Sequence, residues 1–349
     1  MSAVDAPAGP APATTAAARR ATRPWWLISL AAVAGLAATY AGAVDLAGST
    51  PVRVVLVVAG LWILLRATDA ALQRLRPGTD TGLVLASAWL LLIGGAAIAA
   101  DWLPMAEGRD IAKTLTTPTL LRPDLFSAHP LGTDRQGLDL LAEIVYGARI
   151  SLVVGFAAVL VGTLVGGTIG LLAGYYRGWL DRVVAVVADS MLAFPPLVLL
   201  LALVAVLQPS VRNVTIGLSI LIIPTYIRLV RANTLTFAQR EFVTAARALG
   251  ARDRRVILRE IAPNVALPVA SYGFVIVGVL IVAEASLSFL GLSVQRPNPT
   301  WGNLIAAGQS SFATDPHLVF VPGTALFLTV FSLNRVGERL RRSWDRSAR

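Results

Sequence analysis

The sequence predicts an all-α, polytopic membrane protein, and three observations carry that reading. The chain of 349 residues is 56% hydrophobic and only 14% charged, with a mean hydropathy of +0.69. A soluble globular protein is about a quarter charged, so too little polar surface remains here to cover a water-soluble core. Second, several stretches of about 17 to 25 residues carry few or no charges, enough for a helix to cross a hydrocarbon layer of about 30 Å. Third, arginine gathers in alternate connecting segments, as the positive-inside rule requires. A β-barrel would show alternating ten-residue strands instead.

In chain order, residues 1–23 are rich in Ala, Pro and Thr and include Arg19, Arg20 and Arg23. They have little to bury and are expected to form a disordered cytoplasmic tail. Two apolar runs follow within residues 24–76: Trp25 to Val44, and a short one, Val54 to Leu65, bounded by Arg53 and Arg66. A cleaved signal peptide is the competing reading of the first, with Ala41-Gly42-Ala43 as the cleavage site. The run is long for such a segment, which favours retention. The third run, Gly82 to Ala100, falls in an expected helical segment 77–103. A polar stretch, 104–149, holds Pro104, Pro118, Pro123 and Pro130. The remaining runs are Ile150 to Leu172, Val183 to Leu207, Val214 to Leu229, Leu267 to Leu290 and Leu318 to Asn334, in a region 150–340 before a tail 341–349. That makes eight candidate helices.

With the N-terminus inside, the cytoplasmic segments carry Arg19, Arg20 and Arg23; Arg74 and Arg76; Arg177 and Arg182; residues 232–265; and the C-terminal arginines. The external segments carry far fewer. Both termini are therefore expected in the cytoplasm and residues 104–149 outside. Trp25, Trp26, Trp102 and Trp179 fall at span edges, where an aromatic belt places them. Pro195-Pro196 interrupts the fifth run and Pro224 the sixth, each freeing backbone carbonyls within a span.

The stretch EFVTAARALGARDRRVILREIAPN, Glu241 to Asn264, carries five arginines and three acids between two apolar runs. Phe242, Ala245, Ala246 and Leu249 recur at helical spacing and make one face of apolar and small residues. Gly250 suits the left-handed position that ends a helix. Polar residues from Arg252 follow, then a second helical pattern through Val256, Ile257 and Ile261, which Pro263 is expected to stop. The loop reads as helix, glycine turn, helix. Such a helix fits a groove in another protein; a helix lying on lipid headgroups is the alternative.

This stretch resembles the cytoplasmic loop of bacterial ABC-importer permeases of the dipeptide/oligopeptide/nickel family, through Ala245-Ala246, Gly250 and Pro263. HPLGTDRQGLDLLAEIVYGARISLVVG (His129 to Gly155), GLLAGYYRGWLD, LAFPPLVLLLAL and AEASLSFLGLSVQRPNPTWGNLI are similar to further segments of its C-type subunit, in the same order. The resemblance covers about Gly82 to the end. It implies a six-helix, type I permease core, to which the first helix pair is an addition. It also implies that Glu241, Phe242, Thr244, Ala245, Ala246, Leu249, Gly250, Arg252 and Pro263 dock on an ATPase subunit. Partners would be a homologous second permease, two ATPase subunits (or one fused), an extracytoplasmic substrate-binding protein and membrane lipid, in the bacterial plasma membrane. ATP and Mg would be used by the ATPases, with no cofactor in this chain. The implied cargo is a di- or oligopeptide; nickel chelates or another small solute are the alternative. Two departures stand out: Thr244 replaces the usual acid, with Glu241 able to supply the charge, and Leu138 replaces the usual Arg, so that any ion pair made there is lost.

Asp189 and Glu284 lie within apolar runs, where charges are costly and face protein or water. With Pro195 and Ser286 they are candidates for a translocation path; a helix–helix hydrogen bond, or an acid protonated and buried, is the alternative. The same resemblance implies that a binding protein docks on the external segments, with Gly132, Asp134, Asp139 and Trp301 as candidates; a plain loop is the alternative. Other functions are poorly supported. There is no cysteine, His129 and His317 are isolated, and no metal site or nucleophile–base motif is expected. No P-loop occurs, since Lys113 is the only lysine and follows Ala112. No basic soluble domain points to nucleic acid, and no inverted repeat points to a stand-alone secondary transporter.

Overall fold

The computed structural model describes residues 25–43, single positions between 56 and 71, and residues 80–103, 105, 114, 117–124, 126–206 and 208–347. The expected tail 1–23, most of the second apolar run and most of 104–116 lie outside the described residues. The described residues are helical apart from turns and one isolated bridge, Thr133 with Asp139. They fall into two compact units, Met1–Thr81 and Gly82–Arg349.

In the first unit, α1 (Trp25–Ala43) packs closely on helical residues among 56–71. A side chain added at Gly60 would strike Thr39 Oγ1 at 2.3 Å, and one at Gly35 would meet Leu64 at 2.8 Å. Small residues thus bring the two backbones together, as is common between helices in lipid.

The second unit contains α2 (Thr81–Ala99), α3 (Leu140–Tyr176), α4 (Gly178–Leu192), α5 (Pro196–Val206), α6 (Val211–Phe237), α7 (Glu241–Ala248), α8 (Asp253–Phe289), α9 (Trp301–Gly308) and α10 (His317–Ser347). Among the described residues, five helices, α2, α3, α6, α8 and α10, are long and apolar enough to cross a membrane, and α4 with α5 makes a sixth if that bent pair is one span. Large apolar side chains such as Leu91, Leu92, Ile98, Leu160 and Leu164 remain exposed on their outer faces, as lipid-facing residues do.

Three expected boundaries change. The fourth run begins at Leu140, ten residues early, because Asp139 caps α3 by accepting from the Ala142 N–H at 2.8 Å. The fifth run is two helices meeting at 85°. Each of Phe194 and Pro195 precedes a proline, which disfavours helical backbone there. Pro196 then starts α5, where its missing N–H costs nothing. Finally, Pro263 does not stop a loop helix: α8 runs unbroken from Asp253 to Phe289. A π-helical turn, Val256–Ile261, carries the chain across, with the Ala262 N–H bonded to the Ile257 carbonyl five residues back. Widening the turn keeps the backbone bonded around a proline that has no N–H and crowds the preceding turn.

The tightest helix pair is α3 against α6. Gly162, Gly166, Gly170 and Gly174 stand every fourth residue on α3. A side chain added at the last three would lie 2.7 Å from the Ile223 carbonyl oxygen, 2.6 Å from that of Ile227 and 2.9 Å from that of Arg231. Ile222 fills the space beside Gly162, and Tyr226 and Val230 pack in the same core. Only glycine lets these two backbones touch.

Candidate functional sites at the two ends of the bundle

α3 and α6 end, and α8 begins, at one end of the bundle, where α7 joins them. α7 is ended by a Schellman arrangement: Gly250, at φ +82, donates to the Arg247 carbonyl at 2.9 Å, and Ala251 donates to that of Ala246 at 3.0 Å. The left-handed conformation expected of Gly250 is present. Val243 is fully buried and anchors α7 among Val256, Ile257 and Ile261. Opposite the anchor, Glu241, Phe242, Thr244, Ala245 and Leu249 are exposed, and Ala246 is half-buried. Leu249 is 89% exposed, an unusual position for leucine in a helical turn so rigidly closed. Glu241 lies one turn before Thr244 on the same face. Arg252 and Pro263 are exposed as well.

Side chains from five helices fix this end. The Tyr175 hydroxyl donates to Asp253 Oδ1 at 2.5 Å, and the Arg247 guanidinium sits 5.3 Å from the centre of the Tyr175 ring. Tyr175 on α3 therefore ties α7 to the start of α8, a cation over an aromatic face on one side and a hydrogen bond on the other. Asp181 on α4 forms a bidentate pair with Arg231 on α6. Arg177 links α3 to α4 in a positive-φ conformation (φ 56) followed directly by Gly178 (φ 69).

At the far end, the segment 129–143 folds back on itself and receives the loop 290–300. Asp134 Oδ1 accepts from the Gln136 and Leu138 N–H groups at 2.7 and 2.9 Å, and its Oδ2 accepts from Arg296 at 2.9 Å. The same Arg296 nitrogen lies 3.1 Å from Glu143 Oε1. His129 Nδ1 and Asp139 Oδ2 are 2.8 Å apart. A cavity of about 220 Å³ lies between this cluster and α9, walled by Leu140, Leu304 and Leu318. Leu138 is buried, and the ion partner of Asp134 comes from Arg296, 162 residues away, so the cluster is charged-paired without an arginine at 138.

Gly132, Asp134, Asp139 and Trp301, the candidates for docking the binding protein, are all buried within this chain. Gly132 (φ +84) leaves no room for a side chain, which would meet the Leu121 carbonyl oxygen at 2.1 Å. Asp139 caps α3. Trp301 is wholly enclosed, its indole N–H donating to the Ile144 carbonyl at 3.1 Å. These residues hold the far end together. Replacing Arg296 by Gln should leave two buried carboxyl groups without their cation and destabilise the chain by about 3 kcal/mol. The detergent-solubilised protein should melt several degrees lower; an unchanged melting temperature would show that the cluster adds nothing to stability.

The path candidates separate. Glu284 is fully buried, its Oε1 accepting from Ser288 and Ser293, each at 2.8 Å. Within this chain it therefore faces protein, as the hydrogen-bonded alternative has it, among Ser288, Ser293 and Thr300. Ser286 is half-exposed and bonds its own helix at the Val282 carbonyl. Pro195 is exposed at the break between α4 and α5. Asp189 is exposed and paired with Arg228 of α6, at 2.5 Å. Sequence reasoning missed Arg228, although a lone arginine inside an apolar run is itself a signal. It also missed Tyr175 and Arg296, whose partners are distant in sequence and leave no local trace. The fourfold spacing of glycines on α3 was a legible sign left unread.

A family model described as "Binding-protein-dependent transport system inner membrane component" matches residues 166–349. The chain is 41% identical over 219 residues to the glutathione transport system permease protein GsiD of Pectobacterium atrosepticum, covering 63% of this chain and 73% of that one. It is 38% identical over 264 residues to the dipeptide transport system permease protein DppC of Alkalihalophilus pseudofirmus, covering 75% and 85%. Among solved structures, an inward-facing MetNI methionine ABC transporter is similar with a TM-score of 0.49 and 17% identity, over 58% of this chain and 96% of that chain.

Proposed function

The chain belongs to the family of binding-protein-dependent transport system inner membrane components, and from that premise we propose that it is the C-type permease subunit of an ATP-driven importer of small peptides. The peptide class is supported by relatives named for dipeptide and glutathione transport. The observation that carries the coupling role is α7: a short helix clamped by Val243 on one side and presenting Phe242, Ala245 and Leu249 on the other.

On this reading the face of α7 docks in a cleft of an ATPase subunit, and the 232–265 segment and both termini lie in the cytoplasm. A binding protein delivers peptide to the opposite end, where Arg135 and Gln136 are the exposed neighbours of the buried Asp134 cluster. A second, homologous permease completes the path, and ATP with Mg is consumed by the ATPases, not by this chain. Closure of the ATPases then pushes α7. Because Tyr175 joins α7, α8 and α3, the push reaches the spans as a shift of packed helices between two arrangements that bind ATP differently.

Affinity purification of the tagged chain in mild detergent tests this reading. Recovery of an ATPase and a second permease is the expected result. A chain recovered without either would reject the proposal.

A further inference from the structure

Resting on the peptide-import reading, we propose that the Asp189–Arg228 pair is a binding site for the charged termini of a zwitterionic peptide in the inner half of its path. The pair is open: the Arg228 and Asp189 side chains are 55% and 61% exposed in this chain, although both sit on apolar helices. Exposed charges at such positions do not face lipid; they face water or a polar partner.

A second observation says which. At 100° per residue, Thr225, Arg228, Ala232 and Thr236 share one face of α6, opposite the Ile223, Ile227 and Arg231 carbonyls that contact the glycines of α3, and Gln239 follows in the turn just past the helix end. Arg228, Ala232, Thr236 and Gln239 are exposed and Thr225 is half-exposed. Small and polar residues thus run from the Arg228 level to the end of the helix beside α7. There the face opens on a shallow hollow lined by Leu235, Thr236, Gln239 and Arg240. A lipid-facing stripe would be apolar; this one is built to be wet.

The chemistry of the pair fits a free peptide. Both Arg228 bonds fall on Asp189 Oδ1, Nε at 3.1 Å and Nη2 at 2.5 Å, which leaves Oδ2 for an ammonium group. The guanidinium can turn to a carboxylate and bind it through two parallel N–H groups. Empty, the pair neutralises itself; occupied, each member exchanges its partner for one of the same sign, so no unpaired charge is created within the membrane. The neighbouring Asp181–Arg231 pair is bidentate and more enclosed, and remains closed.

The test uses the complete transporter in proteoliposomes. With Asp189→Asn or Arg228→Gln, uptake of a radiolabelled free dipeptide should fall at least tenfold, and the double variant Asp189→Asn/Arg228→Gln should stay equally low. Uptake restored to within twofold by the double variant would reduce the pair to a structural neutralisation and overturn the proposal. Because the chain has no cysteine, Ala232→Cys and Thr236→Cys provide a second readout. Both should react with a membrane-impermeant thiol reagent applied from the ATPase side, and millimolar dipeptide should slow the reaction. Cysteines that stay unreactive would overturn the site whatever the cargo. If they react, but the unsubstituted transporter takes up no peptide and peptide gives no protection, the peptide reading is what fails, and the ligand class proposed here fails with it.

Discussion

A transporter carrying Leu249→Asp is expected to lose its ATPase subunits in mild detergent while the chain itself still inserts and folds. Leu249 is 89% exposed, so in the isolated chain an aspartate there stays in water and disturbs no packing. Its N–H bond to the Ala245 carbonyl and the Gly250 turn beyond it are backbone features that the substitution leaves alone. Once buried in a cleft, however, the carboxylate has no partner on α7, whose nearest residues on that face are Ala245 and Ala246. Leaving a charge desolvated and unpaired costs about 3 kcal/mol or more, a factor of over 100 in affinity. Leu249→Met conserves volume and apolarity and should keep the ATPase bound. Co-purification and coupled uptake distinguish the outcomes. An Asp variant that retains both would remove α7 from the interface.

The second large effect concerns folding. Gly170→Leu should cost the α3–α6 pair at least the 1–3 kcal/mol typical of overpacking, and more here, because the obstacle is backbone. The first atom of the new side chain would lie 2.6 Å from the Ile227 carbonyl oxygen, 3.1 Å from the Arg231 nitrogen and 3.1 Å from Val230 Cβ. None of these can swing aside as a side-chain tip can, so the helices must part along their length. Steady-state membrane level and melting in detergent should both fall sharply. The contrast is Gly178→Ala, where nothing lies within 4 Å and only the positive φ opposes the change; its effect should be about 1 kcal/mol. Equal losses at the two positions would mean that the close approach is not what holds α3 to α6.

Much of this was legible in the sequence because lipid imposes a simple code. Val214 to Leu229 sits inside α6, and Gly82 to Ala100 matches α2 to within one residue at each end, since apolarity over a bilayer's thickness is a local property. The first turns of α3 were missed because Glu143, Tyr146 and Arg149 make them look like loop; these side chains face protein at the far end, Tyr146 and Arg149 toward backbone carbonyls of α2 and its end. Gly250 was readable because a left-handed residue needs glycine whatever surrounds it. Asp134 and Trp301 were singled out by motif, but their burial was not legible, because it depends on residues more than 150 positions away, Arg296 for Asp134 and Ile144 of α3 for Trp301. Glu284 and Asp189 are both acids in apolar runs, yet one is enclosed by hydroxyl groups and the other is open beside an arginine. Only the packed helices separate the two cases.

The unbroken α8 has a mechanical meaning. Its 37 residues measure about 55 Å at the helical rise, against about 30 Å of hydrocarbon. The surplus, on the α7 side, is a rigid stalk carrying Arg254, Arg255 and Arg259, and Asp253 at its tip is held by Tyr175. A tilt of about 10° where the stalk leaves the bilayer would sweep that tip by roughly 4 Å, comparable to the shifts seen at switching interfaces. A helix stopped at Pro263 would be a hinge and would absorb such a motion. Continued through a widened turn, it can carry such a motion from its arm in water into the span.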